Sequence, residues 1–474
     1  MRYIEHLIDR QVRRWEQEHG TWVPSRGKMT QEDTQPRPVI AICPQLGCGS
    51  RLVTETLSRR TGYEIFGFRL IDKVAESANV RRRLIDRMDQ RRRSYVRSVV
   101  EGMLRERWVD HVEYCSHLLE VLNVFVQEGG CILLGRGAPF VVWEGAGIRV
   151  ALVAPREKRV KSLMHFYNID AREAEKRMVT SDRERAQFAR MCFQKDIGDV
   201  DHYDLVINLE RIKPKMAAAI ILRAMEVMRS DRKEQLTLLP GDRDAEEVLD
   251  RQIGKWERDT VVERREMWAE EAEEELPPRR LPVVAFSRKL GSGARLVAEA
   301  LHSRLGYEVF GYRLIDRVAE DSKLSERVVD RLDRAAESAI EAMIGSLVGR
   351  RRLDREDYFR SLVRVVRALI VQGGVIFLGR GSVFLVKERE GLRVRLTAPF
   401  EKRLERIKEY EGLEGKTAQE KLLKGDKDRA YFDRYYFKAD LEDPTHFDLI
   451  INTERIAPVS ATDIVLRALE PFQV

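Results

Sequence analysis

The chain has 474 residues, 34% charged and 43% hydrophobic, with a net charge of +7. That balance excludes a disordered tail, and the length exceeds what one core organises, so at least two folding units are expected. Charges at Arg2 and Glu5 interrupt any signal-peptide run, and no stretch reaches membrane-span length, so a cytoplasmic location without membrane contact is expected.

In chain order, a polar helix carrying DRQVRRWE at 9–16 comes first and returns as DRQIGKWE at 250–257. These helices read as repeated arms, at 1–35 and within a linker at 236–280. Trp15 and Trp256 on them are candidates for docking the halves or recruiting a protein partner. Prolines at 36, 38, 277, 278 and 282 then end each arm and introduce a first strand. In the first half the strand candidates are 39–43, 63–66, 132–134, 150–153 and 205–207. Helical patterns fill 51–60, about 69–128 and about 156–191. Strands that are apolar throughout and separated by helices predict a five-stranded, mainly parallel sheet with helices on both faces.

The second half repeats the first at a fixed offset of 244 residues. LIDKVAE at 70–76 returns as LIDRVAE at 314–320, GGCILLGRG at 129–137 as GGVIFLGRG at 373–381, and YDLVIN at 203–208 as FDLIIN at 447–452. One fold is therefore expected twice, over 36–235 and 281–474, forming an internal pseudo-dimer. All five cysteines lie in the first half, so they cannot be a framework of the shared fold and read as free thiols.

Each first strand runs into a glycine turn and a helix, through Gly47, Gly49 and Arg51 or through Gly291, Ser292, Gly293 and Arg295. Such a turn reads either as a tight connection or as an anion site, where backbone amides and the helix dipole meet phosphate. The full phosphate loop, Gly-x4-Gly-Lys-Ser/Thr, is not kept. Pro44 and Arg288 replace its first glycine, Ser50 and Ala294 its lysine, and Arg51 and Arg295 its hydroxyl residue. An arginine kept in both halves can supply the missing cation. Arg136 and Arg380, flanked by glycines at a strand end, suit either phosphate recognition or a structural ion pair. Asp182 with Arg185 and Arg190, and Asp426 with Arg429 and Arg434, fit an intrahelical salt bridge or a lid closing over phosphates. His202 and His446 have a loop role.

Together these segments resemble the cytidylate-kinase-like family, within the P-loop nucleoside monophosphate kinases. The resemblance rests on Ser287, Arg288, Gly291 to Arg295, Gly379, Arg380, Asp428 to Phe432 and Phe447 to Thr453, with a more eroded copy in the first half. It implies two tandem P-loop-kinase-like three-layer α/β/α domains that use ATP and Mg2+ and transfer a phosphoryl group to an acceptor such as a pyrimidine nucleoside monophosphate. Gly47, Gly49, Arg51 and Gly291 to Arg295 would hold donor phosphates, and Arg136 and Arg380 the acceptor. Arg185, Arg190, Arg429 and Arg434 would act in transfer, with Asp182 and Asp426 supporting the lid and no protein metal ligand named. The lost lysine leaves a non-catalytic nucleotide-binding or assembly protein as the alternative. Arginine runs at 81–83, 91–93 and 350–352 and a pI near 9.0 invite nucleic-acid binding. Interspersed acidic residues make it the weaker reading.

Overall fold

The computed structural model describes residues 37–76, 112–230, 248–252, 255, 281–330, 332, 334–348, 355–413 and 415–472. The arm of 1–35, Trp15 and Trp256 lie outside these residues. The chain divides into two compact units between Ser230 and Asp231.

In the first unit, β1 (Val39–Pro44), β2 (Glu64–Gly67), β3 (Cys131–Leu134), β4 (Gly147–Val153) and β5 (Leu205–Asn208) form a sheet in the order β2-β3-β1-β4-β5. Every pairing among them is parallel. Residues 39–42 of the central strand are fully buried, because helices cover both faces. Each such Val or Ile contributes about 1.5–3 kcal/mol relative to exposure. The second unit repeats this with β6 (Val283–Arg288), β7 (Glu308–Gly311), β8 (Val375–Leu378), β9 (Gly391–Thr397) and β10 (Leu449–Asn452), in the order β7-β8-β6-β9-β10. Its pairings are likewise parallel. The expected five-stranded α/β unit is thus present twice, and its strand order puts the glycine turn after a central strand.

Buried carboxylates fix the sheet in both units. Arg149 donates to Asp204 from its backbone amide and guanidinium, and Arg393 does the same to Asp448, with both aspartates fully buried. The neighbouring His202 and His446 pack edge-on against Phe140 and Phe384, which gives the paired histidines a packing role in the loop before the last strand. Residues 248–252 are helical, and Lys255 donates to the Gly306 carbonyl while lying over the Tyr307 ring.

One expectation fails. Cys115 and Cys192 form a disulfide, while Cys43, Cys48 and Cys131 are free and buried. The matching positions of the second unit hold Phe359 and Tyr436, whose rings stack at 4.8 Å. The same helix-to-helix junction is closed covalently in one copy and by aromatic packing in the other, so a search for repeated cysteines cannot find it.

Candidate functional site

The glycine turns owe their shape to close packing. Gly47 and Gly291 have φ of +82° and +79°, and a Cβ on either would lie 2.7 Å from the carbonyl of Arg159 or Arg403. Only glycine satisfies both demands. The following helices, Ser50–Thr61 and Ala294–Leu305, begin at Gly49 and Gly293, neither of which can cap the first amides with a side chain.

Asp182 and Asp426 brace these turns. Asp426 accepts from the Leu290 amide at 2.9 Å and from Arg403 at 2.6 Å, and Arg403 also donates to the Leu290 carbonyl. In the first unit Arg159 holds Asp182 through two hydrogen bonds and donates to the Leu46 carbonyl. The i,i+3 contacts to Arg185 and Arg429 are loose by comparison, at 3.7 and 3.9 Å. Asp426 therefore contacts the turn directly, and Asp182 reaches it through Arg159.

In the second unit the turn opens on a cleft of about 770 Å³. Arg288, Lys289, Arg295, Arg313, Arg317, Arg406, Lys421 and Arg429 line it, against Glu299 and Glu411. A second cleft of about 380 Å³ adjoins it, lined by Arg380, Asp428, Phe432 and Asp433. Arg288, Tyr312 and Arg429 line both. Nη1 of Arg288 is buried with no hydrogen-bond partner among the described residues. Burial, then the like charge of Arg429, pushes this guanidinium down to about 9. It is still a cation at neutral pH, held where two clefts meet.

Arg380 lines the smaller cleft from a left-handed backbone, φ 55°, and Arg136 shares that strain at 51°. Asp316 holds Arg380 through two hydrogen bonds, one of 2.7 Å from Nε, and accepts a third from the Tyr358 hydroxyl at 2.6 Å. Asp72 and Tyr114 do the same for Arg136. Burial pulls Arg380 down, but the hydrogen bond and charge of Asp316 outweigh it and leave the group raised. Tyr312 and Phe432 flank the guanidinium at 5.4 and 4.8 Å. The pair is structural on one edge and leaves the rest of the arginine at the cleft.

The structure separates the other predicted residues. Gly291, Ser292, Gly293, Arg295 and Arg429 line the larger cleft. Arg295 turns back to Glu299, and Arg51, 76% exposed, to Glu55. Arg190 and Arg434 are 68% and 72% exposed and face Asp196 and Asp440 at 3.6 and 3.9 Å, and Arg434 is not among the residues lining either cleft of its unit. Arg185 reaches the sulfur of Cys43.

The model of the cytidylate kinase-like family matches residues 39–211 and again 283–455. The chain belongs to the cytidylate kinase-like family. Curated members it resembles include the cytidylate kinases of Natronomonas pharaonis and Halobacterium salinarum, each 27% identical over 192 residues. Those alignments cover 40% of this chain and 90% and 91% of the relatives. A solved structure of an uncharacterized protein from Eubacterium ventriosum is 17% identical, with a TM-score of 0.31, over 40% of this chain and 98% of that one.

Within the family frame, sequence reasoning missed Arg288 as a cleft cation and the Asp316–Tyr358 brace. It also missed Arg406, which donates to the Thr453 hydroxyl and carbonyl while that hydroxyl contacts the Ser292 carbonyl. The available signal was repetition: Asp72 and Tyr114 recur as Asp316 and Tyr358 at the common offset. Among the described residues no helix is long and apolar enough to cross a membrane, and no group of three His, Cys, Asp or Glu could hold a metal ion.

Proposed function

We propose that the second half binds ATP at its glycine turn and transfers the terminal phosphoryl group to a small phosphate-bearing acceptor, such as a pyrimidine nucleoside monophosphate. The observation that carries this is the buried, unpartnered Nη1 of Arg288 at the junction of two clefts. A cation held there without a hydrogen-bond partner is offset by phosphate.

The uncapped amides from Gly293 onward bind the donor phosphates, with Lys289 and Arg406 adding charge along the cleft. Arg380, oriented by Asp316 and Tyr358, binds the acceptor phosphate. Arg288 and Arg429 stabilise the charge that passes between them. An acceptor phosphate oxygen forms the new bond to the γ-phosphorus as the bond to the β,γ-bridging oxygen breaks, leaving ADP. The residues fit a polyphosphate, since cations outnumber carboxylates around the turn. They do not fit a protein-held Mg2+: Arg295 occupies the hydroxyl position, and among the described residues no group of three His, Cys, Asp or Glu could hold the ion.

The first half favours a non-catalytic role. Pro44 supplies no cation where Arg288 stands, and Leu209 and Ser162 replace Thr453 and Arg406. An ADP-release assay over a panel of nucleoside monophosphates tests the reading. Turnover with at least one acceptor is expected, and no turnover on any removes the enzyme claim and leaves an assembly protein.

A further inference from the structure

Asp433 stands apart from the cations around it. It is 8% exposed, lines the smaller cleft, and its Oδ1 is buried without a hydrogen-bond partner among the described residues. The first half has Ala189 at this position, so the carboxyl is not required by the shared fold. Removing a carboxylate oxygen from water with nothing in return is costly, and such a group fits a site where a ligand supplies the missing donor. The arginines beside it meet the anionic end of that ligand.

Resting on the kinase reading above, we infer that Asp433 selects the acceptor by taking a hydrogen bond from a hydroxyl or amino group carried on the same molecule as the phosphate that meets Arg380. The acceptor class is therefore a phosphate monoester with a hydrogen-bond donor, not any small phosphate. Asp433 is a specificity residue and exchanges no atom in the transfer.

Burial raises its carboxyl to about 7, against the opposing pull of Arg395 on β9, Arg380 after β8 and Arg429 on its own helix. Arg288, Tyr312 and Asp428 line the same cleft. The acceptor bond uses the ionised form, so acceptor affinity falls as pH drops below about 7.

Calorimetric titration of the full chain with CMP, UMP and dCMP separates the sources of the donor. Loss with UMP points to the base amino group, and loss with dCMP to the 2′-hydroxyl of the sugar. Asp433→Asn keeps the volume but replaces an acceptor oxygen by a donor, and Asp433→Ala reproduces the first half. Both are expected to weaken the preferred acceptor about tenfold or more, to erase discrimination within the panel and to flatten the pH dependence. A non-hydrolysable ATP analogue should bind wild type and variants alike. Equal acceptor affinity and an unchanged pH profile in both variants overturn the inference. Failure of wild type to bind the ATP analogue instead overturns the kinase reading on which it rests.

Discussion

The two halves share strand order, glycine turn, arginine-bearing strand end and buried aspartates, yet they differ at the entry to the glycine turn. Asp182 and Asp426 brace the turn in both, and Asp72 and Asp316 hold Arg136 and Arg380 in both. At the turn itself the second half has Arg288 and Ser292 where the first has Pro44 and Cys48. Burial raises the Cys48 thiol, while the Ser50 hydrogen bond opposes it, so a neutral sulfur lies against an amide that phosphate would use. Gln45 spends its side chain on the Ala154 amide, whereas Lys289 in its place lines the larger cleft. The copies thus keep the same supports for the turn and strand end, while the side chains of residues 288, 289 and 292 have no charged or hydroxyl counterpart at 44, 45 and 48.

Matching positions of the two halves should respond unequally to the same substitution. Arg288→Ala should lower turnover about 10²- to 10³-fold, the scale of one lost transition-state donor, while Pro44→Ala leaves it within about twofold. Steady-state kinetics on both variants, with circular dichroism to confirm folding, checks it; equal effects would erase the distinction. The junction between helices gives the next largest contrast. Replacing Cys115 and Cys192 by Ala should destabilise the first unit by about 2–4 kcal/mol, seen as an earlier denaturant transition, with turnover retained. Arg380→Lys loses the two-pronged hold of Asp316 and should raise the acceptor KM about tenfold. Arg136→Lys should change stability without moving KM.

Much of the architecture was legible because burial on both sheet faces writes continuous apolar runs. Val39 to Cys43 and Leu205 to Ile207 could be read as strands from residue type alone, and the fixed offset of 244 settled that the fold occurs twice. The site was less legible. Arg288 looked like a lost glycine, because a motif comparison scores positions and cannot say where a long side chain ends. Arg51 and Arg295 looked like replacement cations, yet Glu55 and Glu299 one turn later draw them along the helix. The Cys115–Cys192 pair is separated by 77 residues and has no cysteine counterpart in the repeat, so only tertiary structure brings it together.

The smallest expected effect concerns Asp433, absent from the first half. Its folded carboxyl is raised from 3.8 to about 7, so the folded state takes up a proton and wild-type stability falls as pH rises through that window. Asp433→Asn has no such slope. The variant should gain about 1–2 kcal/mol over wild type above pH 7, less than the full shift implies because a buried amide also lacks partners. The gain should vanish near pH 4, and denaturant melts across pH 4–8 measure it.

In the proposed function the polyphosphate site belongs to the second glycine turn and depends on Arg288. Isothermal calorimetry with a non-hydrolysable ATP analogue tests it most directly. One nucleotide should bind per chain, weakened at least tenfold by Arg288→Ala and unaffected by Arg51→Ala. Two nucleotides per chain, none, or one indifferent to Arg288 would contradict it.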